Sequence, residues 1–302
     1  MECKTKTGLL LLMISVIAGI ISTIVMYGVW YSVDLNNLTA ENATDLILTI
    51  VPAGIIGLIG GLISLIGALL ILLGRNEFGE KHKQFIFYAI IIFVISIIVG
   101  IATAGITVFA TFSTMGESFG TSYDPNQAIN FYRDSNFMTI IAAMTPISTA
   151  LGGLMWVFAL YQLENKNGRT ILFAALICMI ATSIVVGFIS ISTFNNYINS
   201  EDFENLINLG SDGSSSFTQL SSSYQWIGPS AIVSLIGNTI TNVLLFFGLY
   251  IPYNRIKSGD IVPVSTASES DVQGRICPNC GRSIPFDANI CPYCSKRFED
   301  YL

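Results

Sequence analysis

Six long stretches without Asp, Glu, Lys, Arg or His constrain this chain more than any other feature of its sequence. An α-helix needs about 20 apolar residues to cross the hydrocarbon core of a bilayer, because each residue advances the helix by about 1.5 Å. All six stretches are long enough, and they do not alternate apolar and polar residues as barrel strands do. The sequence therefore predicts an all-α polytopic membrane protein with six transmembrane helices, near residues 8–31, 46–73, 85–112, 137–163, 170–193 and 226–251.

The composition excludes a wholly soluble protein and several kinds of catalytic site. Only 11% of the 302 residues are charged, and the mean hydropathy is +0.64, whereas soluble domains carry about 25% charged residues. The single histidine, His82, removes most sites that use histidine as a base or as a paired metal ligand. Proton relays and ion-coupled carriers use Asp, Glu, Lys, Arg or His at membrane depth. The six spans contain none of these residues. We therefore do not expect a pump or a proton-coupled carrier. Because neither the spans nor the basic loops offer a paired acid and base, we also predict that the protein is not an enzyme.

The basic residues of the loops predict the orientation of the chain. Lys and Arg occur before the first span, between spans two and three, between spans four and five, and after span six. The alternate loops contain Arg133 as their only basic residue and are rich in Asp and Glu. Because basic loops are retained in the cytosol, we expect a multi-pass protein of the cell membrane with both termini cytosolic. Asn37 and Asn42 then lie outside, each in an N-x-T glycosylation sequon.

Polar residues within the spans allow two interpretations. Asn238 and Asn242 lie one helical turn apart on the same face of the sixth span. Such residues commonly form hydrogen bonds between helices. They could also line a pathway, which gives the alternative hypothesis of a channel or facilitator for a small neutral solute.

Small residues in the spans predict how the helices associate. A Ser-x-x-x-Gly pattern recurs in the odd-numbered spans, at 15–19, 96–100 and 183–187, and indicates three repeated helical hairpins. Gly57 and Gly61 form a G-x-x-x-G motif in the second span. Such a motif lets two helix backbones approach closely, so we expect close packing within the chain or in a homo-oligomer.

Four cysteines near the C-terminus indicate a metal site. After a polar stretch at 256–275, which reads as a flexible linker, Cys277 and Cys280 form one C-x-x-C turn and Cys291 and Cys294 form another. Ten residues separate the turns, enough for a hairpin that gathers four sulfurs into a tetrahedral site. Two disulfides would need an oxidising compartment, and rubredoxin-like iron sites have more widely spaced turns. The pattern therefore favours zinc.

Residues 276–299 resemble the short zinc-ribbon domains found at the ends of many bacterial and archaeal proteins. The similarity lies in the sequences Cys-Pro-Asn-Cys-Gly and Cys-Pro-Tyr-Cys and in their spacing. It implies a small β-hairpin that holds one structural Zn²⁺ ion, with no open coordination position. The part at 1–255 loosely resembles uncharacterised archaeal multi-pass membrane proteins with such tails, which implies a topology but no activity. Gly281 after the first turn can adopt positive φ, whereas Ser295 stands at the position after the second turn where glycine is common.

The charge of the tail bears on its partners. Four basic residues are offset by three acidic ones and by the two negative charges of a zinc tetrathiolate, so the module lacks the basic surface of a nucleic-acid reader. We therefore expect an integral membrane protein whose cytosolic zinc ribbon mediates protein interaction or regulation. Its partners would be the lipid bilayer and a cytosolic protein, with nucleic acid excluded. The linker leads us to expect a tail that is independent of the helices.

Overall fold

The computed structural model describes residues 3–32, 40–116, 137–201 and 228–263, and in the tail 274–285, 288, 290–291 and 293–298. The described residues form six α-helices that are long and apolar enough to cross a membrane, which confirms the predicted fold class. Most of these helices continue beyond the predicted spans into polar sequence. Their bounds are α1 Lys4–Ser32, α2 Ala40–Leu73, α3 Glu80–Gly116, α4 Phe137–Leu160, α5 Lys166–Ile198 and α6 Gly228–Lys257.

The helices pack side by side in an order that differs from their order in the chain. The pairs α1 and α2, α3 and α4, and α5 and α6 each pack together, as three helical hairpins would. Further contacts join α4 to α5 and α1 to α6. The order across the bundle is therefore α2, α1, α6, α5, α4, α3. Many large apolar side chains on the described helix surfaces are exposed, as expected for helices that face lipid.

Glycines allow α1 and α2 to approach closely. A Cβ atom at Gly67 would lie 2.9 Å from the carbonyl oxygen of Gly8, and one at Gly60 would lie 3.2 Å from the Cβ of Ala18. A Cβ at Gly57 would likewise lie 3.1 Å from the hydroxyl of Ser22, whereas one at Gly61 would meet no described atom within 4 Å. The small-residue face of α2 thus packs within the chain. It continues from Gly57 through Gly60 and Gly67, rather than through Gly61.

The glycines of the predicted repeat have different surroundings. A Cβ at Gly187 would lie 3.2 Å from the carbonyl oxygen of Ala142 in α4, whereas one at Gly19 or Gly100 would meet no described atom within 4 Å. A Cβ would therefore meet a neighbouring helix only at the third glycine, although the backbone of Ser15 and Gly19 lies against Gly60 of α2. The threefold repeat remains a prediction from sequence.

The most deeply buried side chains of the described residues gather at one end of the bundle. Leu9, Phe78, Leu160, Leu163 and Ile261 are all at most 2% exposed and belong to one cluster. They lie at the start of α1, in or beside the short loops α2–α3 and α4–α5, and just after α6. This end also carries the C-terminal tail.

The structure corrects the predicted linker at its N-terminal end. Helix α6 continues to Lys257, and Ile261 packs into the buried cluster. The amide of Ile261 donates a hydrogen bond to the carbonyl of Arg255, whose side chain pairs with Asp260 at 2.5 Å. Residues 256–263 therefore belong to the helical body, because Ile261 gains burial there. The remainder of the predicted linker, 264–273, lies outside the described residues.

Candidate metal centre

A two-stranded hairpin and a second turn bring the four cysteine side chains together, and we call the whole unit, 274–298, the cysteine hairpin. Strands β1, Gly274–Ile276, and β2, Ser283–Pro285, pair antiparallel and place Arg275 opposite Ile284. This hairpin carries the first C-x-x-C turn, and an isolated β-bridge between Ile290 and Arg297 closes the second. The sulfur atoms of Cys277 and Cys294 are 3.6 Å apart, as are those of Cys280 and Cys291, and all four lie within 4.8 Å of one another.

The two C-x-x-C turns have the same backbone hydrogen bonds. In the first, the amide of Gly281 donates to the carbonyl of Cys277 at 2.8 Å, and the amide of Cys277 donates to the carbonyl of Arg282 at 2.9 Å. In the second, Ser295 and Lys296 occupy the positions of Gly281 and Arg282, and both distances are 2.8 Å. The turns are thus two copies of one structure, which orients each pair of sulfurs alike.

The residue after each turn adopts a left-handed backbone conformation. Gly281 has φ of 70°, as predicted, and Ser295 has φ of 56°. Glycine adopts this region without penalty, whereas a residue with a Cβ is disfavoured there. Ser295 therefore keeps the geometry of the turn at a cost in backbone energy.

Replacing Ser295 with glycine should therefore stabilise the metal-loaded hairpin. We expect a gain of about 1 kcal/mol, which corresponds to roughly fivefold tighter metal binding. Competition with a chelator of known affinity measures this change. Gly281→Ser introduces the reverse change in the first turn, together with a close contact of 2.9 Å to the carbonyl oxygen of Phe78, and should weaken metal binding. If both variants bind metal as tightly as the parent chain, the left-handed conformation does not limit the site.

The cysteine cluster fits a tetrahedral metal ion. Zinc–sulfur bonds of about 2.3 Å place the sulfurs of a tetrahedral site about 3.8 Å apart, close to the separations observed here. All four cysteines are free, and Cys277 and Cys291 are buried. The four thiols could therefore hold one metal ion, and four thiolates are a common ligand set of structural zinc.

Asn279 assists the ligands from outside the cluster. Its side-chain amide donates a hydrogen bond to the sulfur of Cys294 at 3.3 Å. Burial raises the pKa of the Cys294 thiol, but this hydrogen bond and those from neighbouring groups outweigh burial and lower the pKa to about 7. The thiolate form binds metal, so Asn279 favours the binding state of Cys294.

The first C-x-x-C turn docks on the loop between α2 and α3. The carbonyl of Asn279 accepts a hydrogen bond from the amide of Lys81 at 3.2 Å. The first amides of a helix have no partner within the helix, so this carbonyl caps the N-terminus of α3. A Cβ at Gly79 would lie 2.9 Å from the carbonyl oxygen of Pro278, and one at Gly281 would lie 2.9 Å from that of Phe78. The expected independence of the tail is therefore wrong at this contact.

The same loop also caps α1. The carboxylate of Glu77 accepts hydrogen bonds from the amides of Lys4 at 2.9 Å and Thr5 at 3.1 Å. A carboxylate at a helix N-terminus also interacts favourably with the helix dipole. The α2–α3 loop thus connects the start of α1 to the cysteine hairpin. Sequence reasoning missed Glu77, Gly79 and Asn279, because each reads locally as an ordinary turn residue.

The polar residues predicted within the membrane lie apart from the cysteine cluster. Asn238 is exposed on the surface of α6, and its amide donates to the hydroxyl of Ser234 at 3.0 Å, one turn earlier in the same helix. Asn242 is half-buried. Of the two sequon residues, Asn42 falls in the first turn of α2, and Asn37 lies outside the described residues.

Comparison with known proteins adds no relative to these observations. No family model matches the chain, and neither a curated protein nor a solved structure is significantly similar to it. The interpretation of the cysteine cluster therefore depends on its own geometry and ligand chemistry.

Proposed function

We propose that this chain is a non-enzymatic integral membrane protein whose zinc ribbon is a cytosolic module for protein interaction and regulation. The observation that carries the proposal is the hydrogen bond from Lys81 to Asn279, which attaches the metal-binding hairpin to a helix terminus. A hairpin of this size buries too little apolar surface to fold without metal. Metal loading would therefore control whether the N-terminus of α3 is capped.

An exposed apolar side chain of the hairpin supports a protein partner. Ile290 is 47% exposed, and exposed apolar side chains of this kind can anchor protein interfaces. One of the basic side chains is engaged by an aromatic ring within the hairpin, since the guanidinium of Arg275 lies 4.2 Å over the ring of Phe298. This arrangement, with the low net charge, favours protein over nucleic acid as the partner.

The ribbon's role in interaction can be tested by comparing proteins that co-purify with three versions of the chain. The full chain should retain its partner, and a chain ending after Pro263 should lose it. That end point keeps Ile261, which the helical body needs for its buried cluster. Ile290→Ser should reduce partner recovery at least tenfold while zinc is retained, because it removes an exposed apolar contact.

Exposed Ser295, in the same turn region, provides the control. Ser295→Ala removes only a small hydroxyl and should leave partner recovery within twofold of the parent chain. Equal recovery with the full chain and with the chain ending after Pro263 would show that the ribbon does not mediate the interaction.

The cytosolic placement of the ribbon is supported by the distribution of basic residues. The hairpin contacts the α2–α3 loop, which carries Arg75, Lys81 and Lys83. Basic loops of this kind are retained in the cytosol. A cysteine introduced at Ser214 should therefore react with a membrane-impermeant reagent on intact cells. A chain with a cysteine introduced at Ser265 should be labelled no more strongly than the parent chain. Labelling at Ser265 would reverse the orientation.

A further inference from the structure

A cavity of about 660 Å³ lies between the cysteine hairpin and the ends of the helices. The hairpin contributes Cys280, Arg282, Tyr293 and Cys294 to its wall. The α4–α5 loop and the start of α5 form the opposite side, and Lys81 and Arg255 complete the lining from α3 and α6. The helices and the hairpin therefore build this cavity together.

Positive charge dominates the lining of the cavity. Five cationic side chains converge on it from four parts of the chain: Lys81, Lys166, Arg169, Arg255 and Arg282. A zinc tetrathiolate in the adjacent hairpin would offset two of these charges, and Asp260, which pairs with Arg255, offsets a third. The excess favours an anion, and several cations around one cavity suit a phosphate group better than a single carboxylate.

Two of the arginines are held in position by the α4–α5 loop. The Nε of Arg169 donates to the carbonyl of Tyr161 at 3.1 Å, and its guanidinium lies 4.2 Å over the Tyr161 ring. Arg255 donates to the carbonyl of Leu163 at 2.6 Å. Both guanidinium groups are therefore ordered before any ligand arrives, which reduces the entropic cost of binding.

The N-terminus of α5 also faces the cavity. Asn165 caps this helix by accepting a hydrogen bond from the amide of Gly168 at 2.8 Å, and Asn165 and Lys166 both line the cavity. Helix α5 is 33 residues long, and the positive end of its dipole favours an anion at this point.

A buried carboxyl group in the lining provides an independent sign of a missing partner. Glu164 is 0% exposed, and neither of its oxygens has a hydrogen-bond partner among the described residues. Burial raises the pKa of this carboxyl to about 8, although Arg255 and Arg169 oppose the shift. The group is therefore protonated at neutral pH and can donate a hydrogen bond. A buried polar group without a partner is costly, and Glu164 belongs to the lining of the cavity.

We propose that this cavity binds a phosphate group, carried either by an anionic membrane lipid or by a soluble phosphate ester. Arg282 reaches the cavity only when the hairpin is folded and docked, so metal loading would complete the site. This inference rests on the metal-dependent docking described under the proposed function, and it is independent of any protein partner.

The test uses the full zinc-loaded chain and two phosphate probes. Inorganic pyrophosphate is titrated into protein in a neutral detergent and followed by calorimetry. In parallel, native mass spectrometry compares retention of phosphatidylglycerol with that of phosphatidylcholine in nanodiscs. Saturable binding of pyrophosphate assigns a soluble ester, and selective retention of phosphatidylglycerol alone assigns a lipid headgroup. Absence of both results would overturn the proposal.

Matched charge changes locate the binding. Lys81→Gln and Lys166→Gln should each weaken binding about tenfold, the effect of losing one charged hydrogen-bond donor. Lys83→Gln removes the same charge two residues from Lys81, but Lys83 is exposed and pairs with Glu80 at 3.3 Å. It should change the affinity less than twofold. Equal weakening by all three variants would indicate diffuse charge attraction and would contradict a site in this cavity.

The metal-free protein separates this inference from the proposed function. Cys291→Ser should weaken phosphate binding at least tenfold, because Arg282 then leaves the cavity. Undiminished binding in Cys291→Ser would exclude the hairpin from the phosphate site, whatever the outcome for the protein partner. Loss of the protein partner in Ile290→Ser with phosphate binding intact would support the independence of the two sites.

Discussion

Replacing Cys291 with serine should remove the bound metal from the purified protein. The parent chain should contain about one zinc ion per molecule by elemental analysis, and the variant should contain almost none. Cys291 is a buried member of a closely spaced group of four thiols, so its loss leaves an incomplete tetrahedral site. Structural zinc contributes on the order of 10 kcal/mol or more to the folding of small domains at neutral pH, and the hairpin should therefore unfold.

Cys178 offers the matched control for this substitution. It lies in α5, outside the cysteine cluster, and its thiol approaches the carbonyl of Gly237 at 3.9 Å. Cys178→Ser should keep one zinc ion per chain. Stoichiometric iron in the parent protein would contradict the choice of metal, and full zinc content in Cys291→Ser would contradict the ligand set.

The helices should remain folded when the metal is lost. Their buried cluster consists of apolar side chains from the helices and loops and contains none of the four ligands. The effect should instead appear at the N-terminus of α3, where the Lys81 amide loses the carbonyl of Asn279. Hydrogen exchange of this amide should accelerate at least tenfold in Cys291→Ser, because its cap is gone. Collapse of all six helices would show that the ribbon is essential to the fold.

Replacing Gly79 with alanine should detach the hairpin while its metal remains bound. A Cβ at this position would lie within about 3.0 Å of the backbone of Pro278 and Asn279, and backbone atoms cannot move aside cheaply. Gly79 also has φ of 87°, which costs a residue with a side chain about 1 kcal/mol. We expect at least tenfold faster hydrogen exchange at Lys81, with zinc content unchanged.

Gly259→Ala separates the clash from the cost of backbone conformation. Gly259 has φ of 80°, but a Cβ there would meet no described atom within 4 Å. Gly259→Ala should cost a similar amount of backbone conformational energy. It should leave the hydrogen-exchange rate of the Lys81 amide within twofold of the rate in the parent chain. If Gly79→Ala behaves like Gly259→Ala, the hairpin does not dock on the loop in solution.

The membrane-spanning architecture and the cysteine cluster were predictable because both depend on local rules. A helix spans the bilayer when about 20 consecutive residues are apolar, and that property can be read directly from each segment. A C-x-x-C turn likewise presents two thiols through its own backbone geometry. The left-handed conformation of Gly281 followed from the same local reasoning. The sequence also shows that serine rather than glycine follows the second turn. Only the structure shows that Ser295 adopts the left-handed backbone conformation that glycine favours.

Tertiary structure alone decided how these parts meet. Gly79 and Gly281 lie far apart in the chain, and each has a local explanation as a turn residue, so no periodicity in the sequence indicates that they approach each other. Glu164 reads as an ordinary loop carboxylate, and only packing shows that it is buried without a partner. The sequence by itself determined which segments cross the membrane and which thiols can share a metal, because each depends on local composition and spacing. Docking of the hairpin and convergence of five cations on one cavity depend on contacts between distant segments, which only the folded chain brings together.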